Sequence, residues 1–252
     1  MNIQNILFSV ATSSLAIGLT CYSAAAATFN DSPLGNTSFS DTDFLNLKNQ
    51  SKFEEDWVAE GRIGNNQNNG DPEQFIVNWQ DNNTPIPVAQ GQRTWTSGEA
   101  VPFIIQYDGT TVNYTLGGNN LTASNVTEPG RFPTGLNSIL LRGRATENSS
   151  LIIQNLVVDG TNYGSNFIAN NNVNYLQIAD VTENLNITGD VIFNWTGNAP
   201  RGSNLAFQFK FGSLDEDIPT PGTTTPEPNS ILSLGVLASL FAASHFTAKK
   251  IN

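Results

Sequence analysis

Apolar side chains recur at every second position through most of residues 53–214, and this spacing, not the 3.6-residue spacing of helices, organises the sequence. Phe75, Val77 and Trp79 alternate with polar residues. Val101, Phe103, Ile105 and Tyr107 alternate up to Asp108-Gly109, and Val112, Tyr114 and Leu116 resume beyond it. That pattern predicts a β-hairpin turning on Asp-Gly. Residues 139–144 and 151–158 predict a second pair of strands across Glu147, Asn148, Ser149 and Ser150. Val191, Phe193 and Trp195 mark another strand, and Leu205, Phe207, Phe209 and Phe211 give the cleanest alternation in the chain. Adjacent apolar pairs such as Leu140-Leu141 and Ile152-Ile153 predict strands covered on both faces. No amphipathic stripe of three helical turns precedes residue 231. The predicted fold class is all-β, two antiparallel sheets packed as a sandwich or jelly roll, without an internal repeat.

Both ends depart from this pattern. Residues 6–27 are apolar or small and close in Ala24, Ala25, Ala26 and Ala27, the layout of a secretory signal cut after Ala26 or Ala27. The single cysteine, Cys21, falls inside it, so the mature chain would hold no disulfide. At the other end, residues 220–228 form a Pro- and Thr-rich spacer of extended character. An apolar run over residues 231–246 follows, then Lys249 and Lys250. The run is near the short end of the roughly 17 to 25 residues that span a bilayer, and the lysines fit a cytoplasmic end. The expected organisation is a helical signal at 1–27, a β-sandwich ectodomain at 28–214 and a linker at 215–230. A transmembrane helix at 231–248 and a basic cytoplasmic end at 249–252 complete it.

Pro226-Glu227-Pro228, one apolar helix and a short basic end resemble the PEP-CTERM sorting signal of Gram-negative bacteria, including cyanobacteria. The resemblance covers roughly the last thirty residues. It implies recognition by an exosortase, transient anchoring in the inner membrane, and release to the outer surface or the exopolysaccharide matrix. The tail departs from that family in ending on lysines where arginines are usual, and in carrying His245 within the span. The hairpin at residues 105–112, closed by Gly117-Gly118, and Asp159-Gly160 resemble concanavalin-like jelly rolls. Together with Glu60, Gly61, Arg62, Ile63 and Gly64, the ectodomain is similar to a choice-of-anchor domain, nearest to subfamily W. That resemblance implies placement and fold, not chemistry.

Composition narrows the function classes. The chain carries 22 Asp and Glu against 11 Lys and Arg, a net charge of −11, and those 11 cations are scattered. A nucleic-acid partner, which needs a clustered basic face, is excluded. The one histidine, His245, lies in the tail, so the ectodomain can build neither a Ser-His-Asp nor a Cys-His nucleophile system. Zinc would lack its preferred ligands, and phosphate-binding Gly-rich loops are missing. Carboxylate-only glycoside hydrolysis survives, because Glu54, Asp56 and Glu60 share parity and would project from one face of a strand. Asp215, Glu216 and Asp217 are read as linker.

Two binding chemistries remain. Hard oxygen donors at Asn65, Asn69, Asp71 and Glu73, with Asn66 between them, form a candidate calcium loop. Trp95 and Trp57 are candidates for stacking on a sugar ring, whereas Trp79 and Trp195 fall on the apolar side of their strands and are expected in the core. The expected function is an exported, non-enzymatic surface or matrix protein that binds exopolysaccharide. A calcium-assisted lectin-like module and a carboxylate-only glycosidase stand as alternatives.

Overall fold

The computed structural model describes residues 26–66, 72–81, 84–126 and 135–215. The expected signal helix, all but residues 26 and 27, and the whole sorting tail with Pro226, Glu227, Pro228, Lys249 and Lys250 lie outside the described residues. Among those described, no helix is long and apolar enough to cross a membrane.

Among the described residues fourteen strands follow in order. They are β1 (Thr28–Asn30), β2 (Phe53–Arg62), β3 (Gln74–Asp81), β4 (Thr84–Gly91), β5 (Ala100–Asp108), β6 (Thr111–Leu116) and β7 (Asn119–Ser124). Beyond residue 135 come β8 (Ser138–Ala145), β9 (Ser149–Val158), β10 (Thr161–Asn162), β11 (Phe167–Asn170), β12 (Val173–Ala179), β13 (Asn184–Trp195) and β14 (Leu205–Leu214). A 3-10 turn (Pro33–Gly35) and an α-helix, α1 (Asp41–Asn49), lie between β1 and β2. The strands form two antiparallel sheets packed as a sandwich. Sheet A runs β1-β12-β8-β14-β2-β3-β4, and sheet B runs β10-β9-β13-β5-β6-β7, with β11 beside β10 on the outer edge of β9.

The sequence pattern produces this directly in β5, whose residues alternate between exposed and buried along its whole length. Val101, Phe103, Ile105 and Tyr107 enter the core while Pro102, Ile104 and Gln106 face out. The Asp-Gly hairpin forms as expected, with Tyr107 opposite Val112. Gly109 takes a φ of 91°, and the Asp108 carboxylate caps the turn by accepting the Thr110 and Thr111 amides at 2.9 and 2.7 Å.

The second expected pair is different. β8 and β9 are consecutive, but β8 bonds to β12 and β14 in sheet A while β9 bonds to β13, β10 and β11 in sheet B. The turn at Glu147 and Asn148 therefore carries the chain across the core instead of along one sheet. A Cβ on Gly143 of β8 would meet Leu151 and Phe167 from the facing layer, 2.6 and 2.7 Å away. Two strands that alternate inward look the same in sequence whether they pair side by side or face each other. From β8 onward the chain changes layer repeatedly, with β12 and β14 in sheet A and β13 in sheet B.

Aromatic rings fill the space between the sheets. Trp57 stacks on Phe211 at 3.6 Å between centroids, and Phe103 packs against Phe207 and Phe209. A second, smaller cluster lies on the outer face of sheet A, where Phe44 and Leu47 of α1 join Phe39, Phe53, Leu140 and Tyr175. The sequence reading did not anticipate α1, because nine residues with two buried positions fall short of a three-turn stripe. Such a helix is marginal alone. Its start is fixed by a capping box, in which Ser40 and Asp43 bond reciprocally to each other's backbone amides. Its docking is fixed by Asp41, which takes a bidentate pair from Arg142 at 2.7 Å and a hydrogen bond from the Tyr175 hydroxyl at 2.7 Å.

Candidate functional site

α1 covers only part of the outer face of sheet A. The uncovered part forms a groove of about 280 Å³ between β14, β2, β3 and β4. Strand register assigns its floor. Arg142 lies opposite Gln208, Gln208 opposite Glu60, and Glu60 opposite Phe75, so one row of side chains crosses four strands. The next row runs Leu140, Lys210, Val58, Val77 and Pro87.

Polar groups hold the centre of the groove. Gln208 Nε2 donates to Glu60 Oε2 at 2.6 Å, and Arg62 Nε lies 3.7 Å from the other Glu60 oxygen. The Arg62 guanidinium stacks over the Phe75 ring at 4.3 Å, while its NH1 donates to the Ser203 hydroxyl. Phe75, Val77, Pro85 and Pro87 supply an apolar wall. The alternation of Phe75 and Val77 therefore marks the groove and not the core, which takes Ile76 from β3 instead. Pro85 and Pro87 also leave the edge strand β4 short of amide donors, which discourages a further strand from adding there.

The carboxylates of β2 do not share a face in the expected way. The register against β14 shifts between Phe211 and Gly212, so Trp57 faces Phe211, Glu55 faces Gly212, and Asp56 is an extra residue. Such a bulge reverses parity. Glu55, not Asp56, joins Val58, Glu60 and Arg62 on the outer face, while Glu54 is exposed and Asp56 is buried. Glu55 is fully buried between Lys210 at 2.8 Å and Lys48 of α1 at 2.7 Å. Burial raises its pKa, but the two ammonium groups outweigh that and hold it below the usual carboxylate range. It is an ionised structural anchor, not a proton donor. Glu60 is the carboxylate that lines the groove.

The other candidates fall elsewhere. Trp57 is 0% exposed and Trp95 2%, so neither offers a ring face to solvent. Trp95 instead ties three segments together. Its ring packs on Phe193 at 4.2 Å, its indole N–H donates to the Arg62 carbonyl at 2.9 Å, and Arg93 lies over it at 4.1 Å. The Asn66 side chain accepts the Trp95 amide at 2.6 Å and donates to its carbonyl at 3.1 Å. Glu73 is likewise buried, and its oxygens accept the Gly64, Asn65 and Asn66 amides at 2.7, 3.0 and 2.8 Å. Its carboxylate shapes the loop from within. Asn69 and Asp71 lie outside the described residues, as does the side chain of Trp79. Among the described residues, no three His, Cys, Asp or Glu side chains converge as a metal site.

The chain matches no protein-family model and no curated protein. The site's chemistry must therefore be read from its own residues. An amide, a guanidinium and a carboxylate beside an apolar wall can hydrogen-bond the edge of a polar ligand and pack against its C–H face. Gln208 and Phe75 were not singled out from sequence, because their parity looks like that of ordinary strand residues. Trp195 was expected in the core. Its parity does point inward, but it ends β13 and stays partly exposed at the rim, a position signalled by the Thr196-Gly197 turn that follows.

Proposed function

We propose that the chain is an exported, non-catalytic protein of the cell surface or matrix, which binds polysaccharide in the outer groove of sheet A. The observation that carries the binding part is the groove itself, a row of Gln208, Glu60 and Arg62 beside Phe75, Val77, Pro85 and Pro87. A pyranose has hydroxyls on its edge and C–H groups on its faces, and this mixture of surfaces complements it. A jelly-roll reading of the sandwich, similar to concanavalin-like folds, agrees with binding on an open sheet face.

A non-catalytic reading is supported by the placing of the β2 acids. A glycosidase needs two carboxyl groups flanking the bond, and Glu55 is buried against Lys210 and Lys48, while Glu60 is the β2 acid that lines the groove. Sorting through the PEP-CTERM-like tail and an exosortase is supported by the sequence of residues 220–250. The expected localisation is the envelope surface or extracellular matrix.

Affinity electrophoresis in gels containing the producing cell's exopolysaccharide tests the binding reading. Wild type should be retarded, and Gln208→Ala and the volume-sparing Phe75→Leu should each migrate faster than wild type while still unfolding cooperatively. Equal retardation of all three would remove the groove from the function. The mature mass in cells with and without the exosortase tests the sorting reading. Loss of the segment after Pro228 only when the enzyme is present supports it, and a chain that retains Lys250 in both strains overturns it.

A further inference from the structure

At the rim of the sandwich beyond the end of β13 lies a second cleft, of about 420 Å³ and different chemistry. Asn148, Asn170, Asn194, Ser97, Ser150 and Trp195 are among the residues that line it. None of its lining residues is charged. We propose that this cleft is a glycan-binding site separate from the groove of sheet A, and that it takes uncharged sugar residues.

Side-chain amides and hydroxyls both donate and accept hydrogen bonds, as sugar hydroxyls do. Trp195 adds an amphipathic ring whose apolar area can pack against C–H groups. A metal ion would find no carboxylate here. An anionic glycan would find no cation, on a chain whose net charge is already −11. An uncharged sugar suits both conditions.

The site is also held in place before any ligand arrives. Ser97 Oγ accepts the Trp195 amide at 2.9 Å and donates to the Trp195 carbonyl at 3.1 Å. The Thr196 amide donates to the Asn148 carbonyl at 3.0 Å, and Ser149 Oγ donates to the Thr146 carbonyl at 2.6 Å. The Gly98 amide donates to the Phe193 carbonyl at 2.9 Å. Asn148, at a φ of 62°, sits on the turn between β8 and β9, while Asn170 closes β11, so three chain segments converge on Trp195. Asn148 and Asn170 are exposed and line the cleft. A backbone fixed in this way has little freedom to lose on binding.

The test is calorimetric titration of the full chain with neutral hexose and N-acetylhexosamine oligomers, with a polyuronate alongside. Trp195→Ala and the exposed Asn170→Ala should each weaken binding of a neutral oligomer by about tenfold or more, with melting of the Asn170 variant unchanged. Gln208→Ala in the groove should leave that binding intact. Neutral binding that survives both cleft variants but falls with Gln208→Ala overturns this proposal and upholds the groove reading. Binding of the polyuronate alone, or of no oligomer at all, overturns the proposal outright.

Discussion

Gly212 stands where β2 carries its extra residue, and a Cβ there would collide with the Glu54 carbonyl oxygen and lie 2.9 Å from the Phe53 ring. Gly212→Ala is expected to lower stability by about 1–3 kcal/mol, since the clash involves backbone that cannot turn aside. Denaturant unfolding measures this, and an unchanged midpoint would refute the packing described for the bulge. Directly across from Gly212, Glu55→Gln removes the buried carboxylate that Lys48 and Lys210 both bond. A loss of about 3–5 kcal/mol is expected. Replacing the trio together, with Lys48→Met, Glu55→Leu and Lys210→Met, should recover most of it, and failure to recover any would show that packing and not charge was at stake. Glu60 was legible in the sequence as an acid on a strand. Its companion was not, because counting by twos cannot register an inserted residue, and the bulge exchanged Asp56 for Glu55 on the outer face.

α1 is held to sheet A by side chains whose charge depends on pH. The Arg142 hydrogen bond, opposed by partial burial, keeps the Asp41 pKa below its ordinary value, and Glu55 is also depressed. Depressed carboxylates stabilise the folded state above their unfolded pKa values, near 4. That contribution is lost as pH falls through the lower folded values. Hydrogen exchange at pH 7 should show α1 protected, and below about pH 4 its amides should open before those of β14. Simultaneous opening of both at every pH would contradict a separately docked helix. The sequence offered little warning of α1, since tertiary ion pairs and two buried side chains stabilise it more than any pattern of its own. β3 misled in the opposite direction. Its apolar alternation is real, but the phase faces the groove, and nothing within a strand states which of its two sides meets the core.

At the level of the molecule, alternation in β5, β13 and β14 made two layers of antiparallel strands legible. The assignment of strands to layers was not, because inward-facing residues look alike from either sheet. The two clefts follow from that assignment. The groove lies on the open face of sheet A, and the amide-lined cleft sits at a rim where Asn148, on the crossing between layers, meets the end of β13. In the double variant, Gln208→Ala with Asn170→Ala, each site should be weakened only as much as by its own single substitution, because the sites share no residue. A titration in which Gln208→Ala weakens the neutral oligomer that Asn170→Ala also weakens would make them one site.

β14 occupies the middle of sheet A, bonded along its length to β8 on one side and β2 on the other. Its first residue, Leu205, faces Ala145, just before the turn that builds the cleft. Its last described pairing, Leu214 with Phe53, is at the opposite rim, roughly 30 Å away at about 3.3 Å per residue. Thr28 faces Ala179, Ala179 faces Ser138 and Ser138 faces Gly212, so the start of β1 shares that far rim. If the proposed tether beyond Leu214 holds the molecule, the cleft lies at the rim away from it. Tension between a ligand and that tether would then load β14 in shear. Both flanking ladders then bear the load at once, and rupture requires many hydrogen bonds to break together instead of opening one by one.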